Sequence, residues 1–294
     1  MINISREYTN SLRGLSALII IVFHLGMAWN FPRIINVWGG IGVAIFLFLS
    51  GYGMHESFQR NGLSSFWSKR IRRIAIPYWI VTTVLFLWRG LDTWPAYLRA
   101  VFFIESELWF IVCIAKWYLI FWIIMRFFGK YADILLILSG VLTLLFAQHY
   151  ESEQAFSFVS GVFLSKYYGK IATTDNRKIL LVATVLLLFG IFIMAVKALP
   201  SVQMMKETVF FHALLMGVKL PIGISIAMFF YLLPRLQKSL LLRLSGLASL
   251  ELYMVHAPLV NWTSHHVWHL LIFSLLVPVL SFLFYQLNQI IYKR

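Results

Sequence analysis

The chain has 294 residues, 61% of them hydrophobic and only 12% charged, with a mean hydropathy of +0.81. Soluble domains run nearer roughly 45–50% apolar and about 25% charged, so composition excludes a soluble globular enzyme. A formal charge of +14 would suit a nucleic-acid binder in a soluble chain; here the basic residues fall between apolar stretches, where orientation in a bilayer accounts for them, and no nucleic-acid partner is expected.

Apolar stretches of about 20 residues recur from end to end, the length a helix needs to cross a bilayer. They predict one all-α integral membrane domain over 1–294, with about ten transmembrane helices, one amphipathic interfacial helix and no soluble domain. The spans are expected near 12–30, 39–57, 76–90, 107–126, 132–148, 154–168, 178–197, 208–233, 244–262 and 267–291. The first apolar segment is long and lacks a small-residue cleavage site, so no cleavable leader is expected. With the N-terminus inside, 18 of the 25 Lys and Arg residues lie on the cytoplasmic side. Arg33, Arg89, Arg99, Lys197 and Lys206 lie opposite, while Lys116 and Lys219 fall within spans. That asymmetry predicts a multi-pass protein with both termini cytoplasmic.

In the first span Arg13 and His24 are eleven residues apart, almost three full turns, and so share one helix face about 16 Å apart along the axis. Separately, the arginine reads as an interface anchor and the histidine as a packing hydrogen-bonder. Together they suggest a polar passage entering from the cytoplasmic side. The second span, "GGIGVAIFLFLSGYGM" over 39–54, holds five glycines and Ser50; small residues let helices approach closely or leave room for a ligand.

The following segment, 58–76, interleaves Phe66, Trp67, Ile71 and Ile74 with basic residues and reads as a helix lying at the inner interface before Pro77. Within it Arg70 and Arg73 share a face, as do Lys69 and Arg72. Ordinary lipid anchoring accounts for such a cluster, but paired guanidiniums also match phosphate oxygens. The outer side carries Glu105, Glu107 and Glu151 with Trp94 and Trp109, acids and indoles that suit a sugar-binding rim or an interfacial belt. Inside the membrane, Lys116, Lys219, Glu251 and His256 are functional candidates by default, normally paired; an ion pair of Glu251 with one of the two lysines is expected. The run His265, His266 and His269 reads as a polar helix start, and no metal site is expected. Cys113 lies in an apolar run, and as the only cysteine it excludes an internal disulfide.

Five stretches resemble motifs of the membrane-bound acyltransferase-3 family, in order and over nearly the whole chain. "LRGLSALIIIVFH" resembles its first-helix arginine and histidine, and "GGIGVAIFLFLSGYGM" its glycine-rich second helix, with Leu47 where a second Phe is usual. "FWSKRIRRIAIPYW" resembles its paired-arginine segment, although the proline stands one residue late, at Pro77. "ELWFIVCIAKWYLIFW" and "SLELYMVHAPLV" are similar to its fourth and late helices. The extracytoplasmic domain that some members carry is not expected after the tenth span.

The resemblance implies an integral-membrane O-acyltransferase of the bacterial cytoplasmic membrane. Its donor would be cytoplasmic acyl-CoA, with acetyl-CoA the expected form, and its acceptor a cell-envelope polysaccharide or lipid-linked precursor. Arg70 and Arg73, with Lys69, Arg72, Ser50 and Arg13, become the candidates for the CoA side. His24, as general base, and Arg13 become the catalytic candidates, with a transient acyl-histidine as the other route. Glu107, Trp109, Lys116, Glu251 and His256 are the candidates on the acceptor side. Ser50 is the guess for oxyanion stabilisation, since Arg13 is too far from His24. The competing readings are a proton-coupled permease using His24, Glu251 and Lys219, or a polysaccharide exporter without chemistry.

Overall fold

The computed structural model describes residues 4–32, 36–89, 94–171 and 175–293. Arg33 and Arg294 lie outside the described residues, as does the side chain of His265. All regular structure among the described residues is helical. In chain order the principal helices are α1 (Arg6–Ala28), α2 (Asn36–Asn61), α3 (Phe66–Trp88), α4 (Trp94–Val101), α5 (Trp109–Phe127) and α6 (Ala132–Phe146). They continue with α7 (Ser157–Ile171), α8 (Asn176–Lys197), α9 (Val209–Tyr231), α10 (Leu240–Leu247), α11 (Ser249–Leu259) and α12 (Val267–Lys293). In lipid a helix satisfies its own backbone polar groups, which is why apolar segments of this length settle as helices.

Eight helices among the described residues are long and apolar enough to cross a membrane, or nine if α10 and α11 count as one broken span. The expected ten differ from these at two places. The sixth, over 154–168, is α7, only 15 residues long; it lies against α2 rather than in lipid, and Phe158, Val159 and Val162 are fully buried. The ninth, over 244–262, breaks at Ala248, where α10 and α11 meet at 81°.

The basic segment also departs from expectation. Instead of lying flat on the interface, it forms the opening turns of α3 and runs straight into the span. Phe66 stacks on Phe121 and Trp67 meets Trp122, so the aromatic face that would have entered the headgroups is spent on α5. The one-residue delay of Pro77 has a structural counterpart, because Ile71–Ala75 is a π turn, which takes up an added residue without ending the helix.

Burial sorts the helices. In α2, 83% of the most apolar window is buried in protein, against 17% for the spans at Gly129–Phe146, Asn176–Lys197 and Val267–Ile291, which present their side chains outward. Close backbone approach around α1 and α2 depends on glycine. A Cβ at Gly14 would sit 2.0 Å from the Leu242 carbonyl oxygen, and one at Gly51 would sit 2.0 Å from that of Phe158. Of the two roles the five glycines of 39–54 suggested, Gly51 takes close helix approach.

Candidate functional site

Four of the predicted cations converge on one cavity. Arg13 from α1 and Lys69, Arg70 and Arg73 from the start of α3 line a space of about 240 Å³, together with Ser50 and Gly53 of α2, Tyr118 of α5, and Ser249 at the start of α11. No carboxylate is among its described lining residues. The local reasons are legible. Gly53 has no side chain, so the Arg13 guanidinium lies beside the α2 backbone, with Nη2 3.5 Å from where a Cβ would be. Arg70 is held over the Phe66 ring at 4.5 Å, and its Nη2 lies 3.1 Å from the Met54 sulfur, a stacked arrangement that suits arginine better than lysine. The break at Ala248 brings the first turn of α11 to the same cavity.

Arg72 is placed differently. It lines a smaller space of about 60 Å³ with Glu251, Tyr285, Asn288 and Arg73, so Arg73 is the one cation among the described lining residues of both. The Ser50 hydroxyl donates to the Phe46 carbonyl at 2.8 Å, which commits its proton to the backbone and leaves the oxyanion role suggested for it without support.

At the far end of α1, His24 faces His256 of α11, with Nδ1 of the former 3.0 Å from Nε2 of the latter. His256 is fully buried, and its own Nδ1 lies 2.8 Å from the Leu252 carbonyl oxygen. A chain of ring contacts separates this pair from the basic cavity: Phe46 to Phe110 at 5.2 Å, Phe110 to Tyr253 at 5.2 Å, and Tyr253 to His256 at 5.7 Å. Neither His24 nor His256 is among the described lining residues of that cavity.

A larger cavity of about 610 Å³ lies at the opposite end of α3 and α5. Trp109 and Tyr118 are nine residues apart on α5, about 13 Å along the axis, with Trp109 in the large cavity and Tyr118 in the basic one. Its polar lining includes Glu105, Glu107, Arg99, Tyr97, Gln148 and Tyr150. Trp109 and Tyr150 stack at 5.3 Å, and Tyr97 stacks on Phe86 at 4.3 Å.

The expected ion pair of Glu251 with an intramembrane lysine is not formed. Glu251 accepts from the Asn288 amide at 2.9 Å. Lys116 instead pairs with Glu151 at 2.7 Å, and Lys219 with Glu153. The acceptor-side candidates thus divide: Glu107 and Trp109 share the large cavity, whereas Lys116, Glu251 and His256 each have a partner elsewhere. Tyr118, Tyr150 and Gln148 were not singled out from sequence. Tyr118 stands in the quoted fourth-helix stretch, two residues after Lys116, and was the one of the three open to discovery there.

The family model described as an acyltransferase domain matches residues 6–287. No curated protein and no solved structure matches the chain.

Proposed function

This chain belongs to the acyltransferase-3 family of membrane acyltransferases, and from that premise we propose an O-acyltransferase that takes its acyl group from acyl-CoA, acetyl-CoA foremost. Its acceptor is a hydroxyl of a cell-envelope polysaccharide or a lipid-linked precursor. The observation that carries this reading is the gathering of Arg13, Lys69, Arg70 and Arg73 about one cavity. Four cations at the end of a membrane protein form a site for a polyanion, and the phosphates of CoA supply the geometry that guanidinium forks match. Phosphate recognition belongs where CoA is found, so this end faces the cytoplasm, both termini with it, in a bacterial inner membrane.

The large cavity at the other end suits a sugar. The faces of Trp109 and Tyr150 offer apolar surface to the C–H side of a pyranose ring, and Glu105, Glu107 and Gln148 offer hydrogen bonds to its hydroxyls. His24 lies about 16 Å along α1 from Arg13 and is the base of the reaction. The sugar oxygen attacks the thioester carbonyl carbon while its proton passes to the imidazole. The C–S bond then breaks and that proton goes to the departing CoA sulfur, so nothing is consumed besides the two substrates.

The permease reading requires His24, Glu251 and Lys219 in one relay, and each of them has a different partner. The deciding experiment places the purified protein in sealed proteoliposomes with radiolabelled acetyl-CoA and a candidate glycan. Release of CoA thiol with label on the glycan, lost in His24→Ala, is the expected result. Transport of unmodified glycan without thiol release would overturn the proposal.

A further inference from the structure

The two-histidine contact does more than pack α1 against α11. A carbonyl oxygen only accepts hydrogen bonds, so the 2.8 Å contact of His256 Nδ1 with the Leu252 carbonyl places a proton on that nitrogen. In a neutral imidazole the other nitrogen, Nε2, then carries a lone pair. That lone pair faces His24 Nδ1 at 3.0 Å, and the contact is a hydrogen bond only if His24 Nδ1 is the protonated nitrogen. The polarity of the chain is therefore set from its buried end: Leu252 carbonyl, His256, His24. It terminates on His24 Nε2, which is left as a lone pair.

We infer that His256 is a positioning residue that holds His24 in the Nδ1–H form, so that His24 Nε2 is the basic atom. This rests on the proposed acyl transfer for its catalytic meaning, but the tautomer itself does not. When His24 Nε2 takes the proton of the attacking hydroxyl, the resulting imidazolium still donates from Nδ1 to His256 Nε2. The new positive charge thus meets an acceptor already aligned in a site where His256 is fully buried. Two features fit a fixed orienting group. Tyr253 packs its ring edge-on to His256 at 5.7 Å. The bond from His256 to Leu252 spans one turn of α11, so the orienting carbonyl moves with the histidine.

The experiment uses the full-length protein in nanodiscs, with His256→Gln and His256→Leu compared. Glutamine keeps an oxygen near the position of the imidazole Nε2 and accepts from His24; leucine has similar bulk and accepts nothing. The first readout is ¹⁵N chemical shifts of the histidine ring nitrogens, assigned by difference from His24→Ala. His24 is expected as Nδ1–H in the wild type and in His256→Gln, and to lose that preference in His256→Leu. The second is kinetic. In His256→Leu, kcat is expected to fall about 100-fold with the acyl-CoA KM unchanged, and His256→Gln is expected to recover most of that loss.

A wild-type His24 protonated at Nε2 overturns the inference whatever the activity. Equal kcat in all three proteins, or equal loss in Gln and Leu, overturns its catalytic half. If no protein transfers acyl groups while the tautomer pattern holds, the acyl-transfer reading fails and the positioning of His24 stands.

Discussion

Two regions of this protein gather cations, and they do so in opposite ways. On α9, Lys219 is 8% exposed, lies against Gly40, and is paired with Glu153, itself 7% exposed. Glu153 also approaches His212, whose Nε2 meets His149 Nδ1 at 2.9 Å. In the basic cavity Arg13, Lys69, Arg70 and Arg73 face a common space whose described lining holds no carboxylate. A buried charge is tolerable once neutralised and costly when it is not. The first region satisfies that requirement within the chain; the second leaves its cations around a cavity that an anion from outside can enter. On the proposed reading, the same residue types mark architecture in one place and a binding site in the other.

That contrast is open to attack from both sides. The largest effect is expected at the internal pair. Lys219→Met leaves Glu153 buried without its cation and should cost about 3–5 kcal/mol of stability. This would appear as a lowered melting temperature in nanodiscs, with acyl-CoA affinity per folded protein unchanged. The double variant Lys219→Met, Glu153→Leu should recover most of it; no recovery would mean that the pair is not a closed unit.

At the cavity the signs reverse. Arg70→Ala or Arg73→Ala should raise the acyl-CoA KM about 10–100-fold, the value of one or two charge-assisted hydrogen bonds, and leave the melting temperature nearly unmoved. A large loss of stability with unchanged KM would place these arginines with Lys219. A smaller difference follows from screening. Raising ionic strength from 0.05 to about 0.5 M should weaken acyl-CoA binding several-fold, because the cavity is open to solvent and the Debye length shrinks to a few ångströms, whereas the buried pair should hardly respond. The smallest effect is expected at the far cavity: Trp109→Ala should raise the acceptor KM about 3–10-fold through loss of one aromatic face and leave the acyl-CoA KM alone.

Much of this was legible in the sequence, and the boundary is instructive. Arg70 and Arg73 were readable as a pair because helical spacing puts them on one face, and motif order added Arg13, whereas Lys69, read on the face of Arg72, joins them only in the structure. Arg72, expected beside Lys69, lines the smaller space instead; it lies, like Arg73, within the π turn at Ile71–Ala75. The broken span at Ala248 was invisible for another reason: hydropathy averages over a window and is blind to a change of direction. The 15-residue α7 shows the converse error, where apolarity came from burial against α2 rather than contact with lipid.

The amino-acid sequence by itself determined that the chain is a multi-helix membrane protein and where its helices lie. In a bilayer, local hydropathy and backbone self-satisfaction decide those matters within about 20 residues. Only the tertiary structure decided who meets whom. Lys116 and Glu151 are 35 residues apart, Glu251 and Asn288 37, Lys219 and Glu153 66, and His24 and His256 232. No local pattern ranks such partners, because the energy that selects them, desolvated charge finding its complement, exists only once the helices have packed.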